Sequence, residues 1–92
     1  MIIRVLHEGQ FEVDTAAVDE LNRLDDALQG AVDGEDDGAF SAAVRALAER
    51  VRSVGTPLPL DDLRPSDAVV PHPDATREEV RGLLHEDGVI PG

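Results

Sequence analysis

The sequence predicts an α+β fold: an N-terminal β-hairpin packed on an antiparallel αα-hairpin, with a proline-rich ordered arm and a short third helix. Three observations carry this expectation. Apolar residues alternate through "IIRVLHEGQFEV" on either side of a turn that contains Gly9. Apolar residues then recur at three- and four-residue steps in two segments separated by "DGEDDG". After Gly55, prolines alternate with leucines and valines, too apolar for a disordered linker, before a well-capped helical segment. The chain has 92 residues, which predicts one domain over residues 1–92, burying about 60–65% of its unfolded surface.

In the hairpin, His7-Glu8-Gly9 reads as a three-residue loop with Gly9 at the left-handed position. Val5 then faces Phe11, Ile3 faces Val13 and Arg4 faces Glu12, so one face is apolar and the other carries a cross-strand ion pair. Asp14 or Thr15 caps the first helix, whose apolar stripe is Val18, Leu21, Leu24, Leu28 and Val32, with Asp19 and Glu20 in its opening turns. The second helix carries Phe40, Val44, Leu47, Val51 and Val54, a coiled-coil-like seam. Arg50 and Arg52 suit its C-terminal end, and Gly55 supplies the C-terminal stop. A short loop between two such helices makes them antiparallel neighbours.

Beyond Gly55, "PSDAVVP" offers a short edge strand or a turn at Ala68-Val69-Val70. Thr76 and Glu79 form a capping box for a third helix with Val80, Leu83 and Leu84 on its apolar face and Gly88 at its end. The apolar residues Leu58, Leu60, Leu63, Val69 and Val70 predict an arm wrapped over the helical hairpin.

Composition excludes several function classes. Net charge is −12, and all eight basic residues are arginines, so a phosphate backbone finds no cationic surface and no nucleic-acid partner is expected. Only two aromatic residues, both Phe, leave no platform for base stacking. Without cysteine, disulfides, thiolate metal sites and Cys nucleophiles are ruled out. No apolar run approaches the roughly 20 residues of a membrane span, and the N-terminus has no signal-peptide pattern. The expected location is therefore the cytoplasm, with membrane contact only indirect, through a partner. The acidity itself reads as a solubility habit of the source or as a face for a basic partner.

Few constellations survive scrutiny. Asp33, Glu35, Asp37 and Gly38 match four positions of a calcium loop, but the twelfth position, which should be a bidentate Glu, is Val44. His7, His72 and His85 are far apart in sequence, with no second His or Cys at ligand spacing. Ser41, Ser53 and Ser66 lie in no nucleophile elbow. The pairs Asp25-Asp26, Asp61-Asp62 and Glu78-Glu79 read as solvated carboxylates, since adjacent helical residues point to different faces. No catalytic residue, metal ligand or cofactor is expected, and an enzyme is not. What remains is the exposed side of the second helix, where Arg45, Glu49 and Arg52 align. Arg45 and Glu49 have the spacing of an intrahelical pair; the three together form a candidate strip for docking an acidic partner helix.

Several segments, "MIIRVLHEGQFEVD", "VDELNRLDDAL", "VGTPLP", "PSDAVVP", "DATREEV" and "EDGVIPG", follow one another across essentially the whole chain. In that order they resemble the PspAA family, small PspA-associated proteins found beside homologues of phage-shock protein A. The resemblance implies a non-enzymatic accessory or adaptor that binds a PspA-like coiled-coil protein and modulates an envelope-stress response. It brings no catalytic motif to carry over. A second reading, drawn from composition alone, is an acidic regulator or nucleic-acid mimic that occupies a basic site on a partner.

Overall fold

The computed structural model describes residues 1–59, 61–62 and 64–83. Its elements are β1 (Ile2–Val5), β2 (Gly9–Glu12), α1 (Thr15–Asp33), α2 (Asp37–Val54), β3 (Thr56–Pro57), β4 (Ala68–Val70) and α3 (Arg77–Leu83). The fold is α+β, as the sequence predicts. The hairpin, however, is the centre of a four-stranded mixed sheet of order β3-β2-β1-β4. Ala68-Val69-Val70 takes the strand option and runs parallel to β1.

The hairpin register differs from the expected one by two residues. Ile3 faces Phe11, Arg4 faces Gln10 and Val5 faces Gly9. The loop is therefore Leu6-His7-Glu8, closed by the Glu8 N–H donating to the Val5 carbonyl at 3.0 Å. His7 (φ 69°) and Gly9 (φ 132°) both adopt positive φ, the first at the third position of a four-residue turn, where type II geometry demands it. The helix start explains the shift. The expected register would have set Ile2 against Asp14 and Met1 against Thr15, drawing the cap of α1 into the ladder. The observed one ends in a doubly bonded pair, Val13 N–H to the Met1 carbonyl at 2.8 Å and the Met1 amine to the Val13 carbonyl at 3.0 Å. That releases Asp14 as N-cap residue.

A two-residue slip preserves the faces, so Ile3, Val5, Phe11 and Val13 are still the buried set. The expected Arg4–Glu12 pair does not form across the strands: Glu12 lies opposite Ile2, and Arg64 reaches it at 3.5 Å.

The two helices place their stripes on the inner face of this sheet. Leu21, Leu28 and Val32 of α1, with Phe40, Val44, Leu47, Ala48 and Val51 of α2, form one cluster with the strands. Val18, Leu24 and Val54, at the margins of the predicted stripes, are only half-buried. The first turn of α1 contains no acidic residue, Asp19 and Glu20 falling one turn later, and the Asp14 side chain makes no capping bond. At α2 the cap is made: Asp36 accepts the Ala39 N–H at 3.1 Å.

Gly55 ends α2, as expected, but not through a left-handed conformation. Its φ is −90°, which any residue adopts. A Cβ there would lie 2.7 Å from the Val51 carbonyl oxygen and 2.8 Å from Phe11 Cβ. Glycine is required because α2 hands the chain directly to the edge of β2 with no room for a side chain.

From there the arm follows the sheet, not the helical hairpin. β3 pairs with β2, and the Leu58 N–H continues the ladder to the Gln10 carbonyl at 2.9 Å. The arm then crosses the outer face of the sheet, where the Arg64 carbonyl accepts the Gln10 side-chain amide at 3.1 Å. It reaches the opposite edge at Asp67, whose N–H donates to the Ile2 carbonyl at 2.7 Å and whose carboxylate accepts the Ile2 N–H at 2.8 Å. Ile2 and Gln10 point away from the helices yet are buried, since the arm covers them. The physical reason for the correction is that sheet edges offer unpaired backbone donors and acceptors, whereas helix flanks offer none. Leu60 and Leu63 lie outside the described residues.

The arm joins the core shared with the helices through Ala68 and Val70 of β4 and again at its end. Ala75 and Val80 join the core. The Thr76 hydroxyl accepts the Glu79 N–H at 3.2 Å, the expected cap. The Glu79 carboxylate is directed instead at His72, 3.4 Å from Nε2. Arg77 pairs with Asp37 at 2.8 Å and covers the Phe40 ring, and Arg81 donates to the Val32 carbonyl at the end of α1. The predicted positions Leu84 and Gly88, and the side chain of Leu83, fall outside what is described.

Two predictions follow from these contacts. Gly55→Ala should destabilise the fold by about 1–3 kcal/mol through overpacking. Gly30→Ala, where a Cβ meets nothing within 4 Å, should stabilise it by about 0.5–1 kcal/mol through helix propensity; urea midpoints of both variants check the contrast. The Arg64 side chain, bonded to Asp62 at 2.9 Å, holds the Asp62 carboxyl below its usual range, and the Arg64 backbone N–H adds to the effect. A depressed folded-state value gives stability that is present above the unfolded value and lost as pH falls through the folded one. Wild type should therefore exceed Asp62→Asn in urea midpoint at neutral pH, with the gap closing below about pH 4; a gap independent of pH would contradict this.

Candidate docking surface on the helical hairpin

The regular seam of α2 is consumed inside the molecule, since Val44, Leu47 and Val51 are fully buried against α1 and the sheet. What α2 offers outward is its polar flank. Between that flank and α1 runs an open groove of about 410 Å³, lined by Glu20, Leu24, Ala46, Glu49, Arg50 and Ser53. Its floor is the half-buried Leu24 and the exposed Ala46. Across it, Arg50 clasps Glu20 with two bonds, Nε to Oε1 at 2.7 Å and Nη2 to Oε2 at 3.1 Å. Such planar two-point pairing is the geometry in which arginine binds a carboxylate best, although both groups are over 40% exposed, so its stabilisation is under about 1 kcal/mol.

The expected strip is distributed as follows. Arg45 and Glu49 are exposed, one turn apart on the same side of α2. They do not form the intrahelical pair, and neither makes a salt bridge among the described residues. Arg52 is occupied, with its Nε 3.1 Å from Glu8 Oε1 in the hairpin turn. Glu49 also belongs to the groove wall, so the strip and the groove are adjoining parts of one surface.

Glu20, Leu24, Ala46, Arg50 and Ser53 are absent from the sequence-derived strip. A signal for them exists: Glu20 and Arg50 lie fifteen residues either side of Glu35, and Leu24 and Ala46 lie eleven either side. Folding two helices antiparallel about that turn sets each pair opposite one another.

Other candidate groups resolve differently. His7 and His72, distant in sequence, meet edge-to-face with ring centroids 4.7 Å apart. The Asp74 N–H donates to His72 Nδ1 at 3.3 Å, which leaves Nε2 to carry the proton towards Glu79 in the neutral ring. His85 lies outside the described residues. In the acidic turn, Asp36 is spent as a cap, Asp37 is paired with Arg77, and Val44 at the twelfth loop position is fully buried. Among the described residues no group of three or more His, Asp or Glu side chains is arranged to hold a metal ion. Asp25 and Asp26 are not alike: Asp25 is buried on the core side of α1 between Leu21 and Leu28, while Asp26 is exposed. The expectation of two solvated carboxylates is thus wrong for Asp25, although the divergence of adjacent helical residues holds.

No helix among the described residues is long and apolar enough to cross a membrane. No curated protein and no solved structure matches the chain. A protein family described as PspA-Associated protein, PspAA, matches residues 1–92. The chain therefore belongs to the PspAA family.

Proposed function

We propose that this protein is a non-enzymatic accessory that binds a PspA-like coiled-coil protein and modulates its part in the envelope-stress response, reaching the membrane only through that partner. The observation that carries this reading is the family match over residues 1–92. The fold is compatible with it: a small sheet bolted across both edges supports a two-helix face, and helix-on-helix packing is the physical mode such a face affords. Arg45, Glu49 and Arg52 are the residues we assign to the contact, with Arg52 exchanging its bond to Glu8 for one across the interface.

The distribution of charge favours this over an acidic mimic of nucleic acid. Exposed carboxylates occur on the outer sheet face (Glu12), on α1 (Asp19, Asp26), in the helical turn (Asp33, Glu35), in the arm (Asp61) and on α3 (Glu78). A mimic concentrates them on one surface; dispersal is what solubility needs.

Co-purification with a PspA-like protein from the same source tests the reading, and a complex should form at concentrations on the order of tens of micromolar. Reversal of both Arg45 and Arg52 to Glu should weaken it at least about tenfold and reduce its salt dependence. Affinity unchanged by the reversal would remove the strip from the interface.

A further inference from the structure

We infer that α3 is a strap that lifts from the helical hairpin as a unit while the sheet and the α1–α2 pair stay closed, and that Arg77 sets how readily it opens. A helix of seven residues is not stable by itself in water, so α3 exists through its docking contacts. Among the described residues, Ala75, just before it, and Val80 supply the apolar ones. The polar ones are weak. Arg77 Nη1 lies 2.8 Å from Asp37 Oδ1, but the Asp37 side chain is 90% exposed, where an ion pair is screened. Arg81 Nη2 donates to the Val32 carbonyl at 3.3 Å, at the long end for such a bond. The Glu79 carboxylate, 3.4 Å from His72 Nε2, is itself more than half exposed.

Arg77 opposes the docking in which it takes part. Its Nε and Nη2 atoms are buried and have no hydrogen-bond acceptor among the described residues. These two atoms form the flat edge with which arginine grips a carboxylate. Arg50 fills that edge with Glu20, and Arg64 fills it with Asp62. In Arg77 the edge is sealed and unfilled. The Phe40 ring, 5.4 Å from Cζ, compensates the cation in part. Donors on a charged group that are buried without acceptors have lost their hydration for nothing in return. Lifting α3 restores that hydration and bares the face of Phe40 that Arg77 covers. Both atoms are closed to solvent while α3 is docked, so an anion has no access to them; the unmet donors are strain in the closed state, not a binding site.

The segment before α3 is held differently. Asp67 bonds to Ile2 through both its backbone and its carboxylate, and the Val70 carbonyl accepts the Leu6 N–H at 3.0 Å. Val70 is fully buried. Pro71 and Pro73 bracket His72, whose carbonyl accepts the Ala75 N–H at 3.0 Å, and at this turn the strap leaves the sheet. Opening therefore separates α3 from residues 56–70 without unravelling the edge strands.

Amide hydrogen exchange of the whole chain in low urea tests the inference. The Val80 N–H donates to the Thr76 carbonyl at 3.0 Å and reports the strap, while Leu47 in α2 and Asp67 at the sheet edge report the rest. Val80 should be protected at least about a hundredfold less than Leu47 and Asp67, through an opening with a small but measurable urea slope. Arg77→Met keeps an unbranched stem over Phe40 and removes the unmet donors. Val80 protection should then rise at least about threefold, with Leu47 unchanged. Asp37→Asn, which takes the charged partner from Arg77, should lower Val80 protection by about twofold or more. Thermal unfolding shows that each variant folds. Val80 exchanging with the free energy and urea slope of Leu47 overturns the strap. A fall or no change in Arg77→Met overturns the role of Arg77. Exchange at Val80 that is independent of urea and indifferent to both substitutions is fraying of a helix end, and overturns both.

Discussion

Everything in this molecule depends on the backbone pairing of one continuous arm with both open edges of the N-terminal hairpin. Two strands alone are marginal in water. Here Thr56–Leu58 closes the β2 edge and Asp67–Val70 closes the β1 edge, the latter reinforced by the reciprocal bonds between Asp67 and Ile2. The closure turns a ribbon into a four-stranded sheet and covers Ile2 and Gln10 on its outer face. Only a sheet so held presents Ile3, Val5, Phe11, Val13 and Val70 as a firm floor for the helices. Gly55 is the joint at which this is arranged, since the absent side chain lets α2 pass straight into the edge strand.

The same packing explains why the outward face has the character it has. With the α2 seam spent in the core, and α3 fastened across the far end through Val80, Arg77 and Arg81, the flank beside the Glu20–Arg50 clasp is one of the exposed helical surfaces. That surface is an open groove in which Leu24 and Ala46 lie beside Glu20, Glu49 and Arg50. In the docking proposed for it, charged residues would set orientation and association rate more than affinity. The chain belongs to the PspAA family, whose description is PspA-Associated protein.

Local and periodic features were legible in the sequence: the two helical stripes, the Thr76 cap, the shared face of the hairpin residues, and the possibility of a strand at Ala68-Val69-Val70. What depends on long-range partners was not. The parity of the hairpin could be read, but its absolute register is decided by where α1 must start, a competition between Asp14 in the ladder and Asp14 as cap residue. Leucines in the arm indicate order without saying whether helices or sheet edges receive it; hydrogen bonds spanning more than fifty residues decide that. Gly55 looks like an ordinary helix stop until Phe11 is placed beside it. For the proposed docking surface, alignment of Arg45, Glu49 and Arg52 was visible along one helix. The contribution of α1, through Glu20 and Leu24, requires the pairing of two helices. The meeting of His7 with His72 and the burial of Asp25 likewise come from tertiary context alone.

Native-state amide hydrogen exchange tests the structural claim most directly. If the arm is the closure on which the sheet depends, the amides of Ile2, Leu58 and Asp67 exchange only through the opening that releases Ile3 and Phe11, with the same free energy. Arm amides exchanging freely while the hairpin amides stay protected would contradict it, and would show that two strands and two helices stand without the arm.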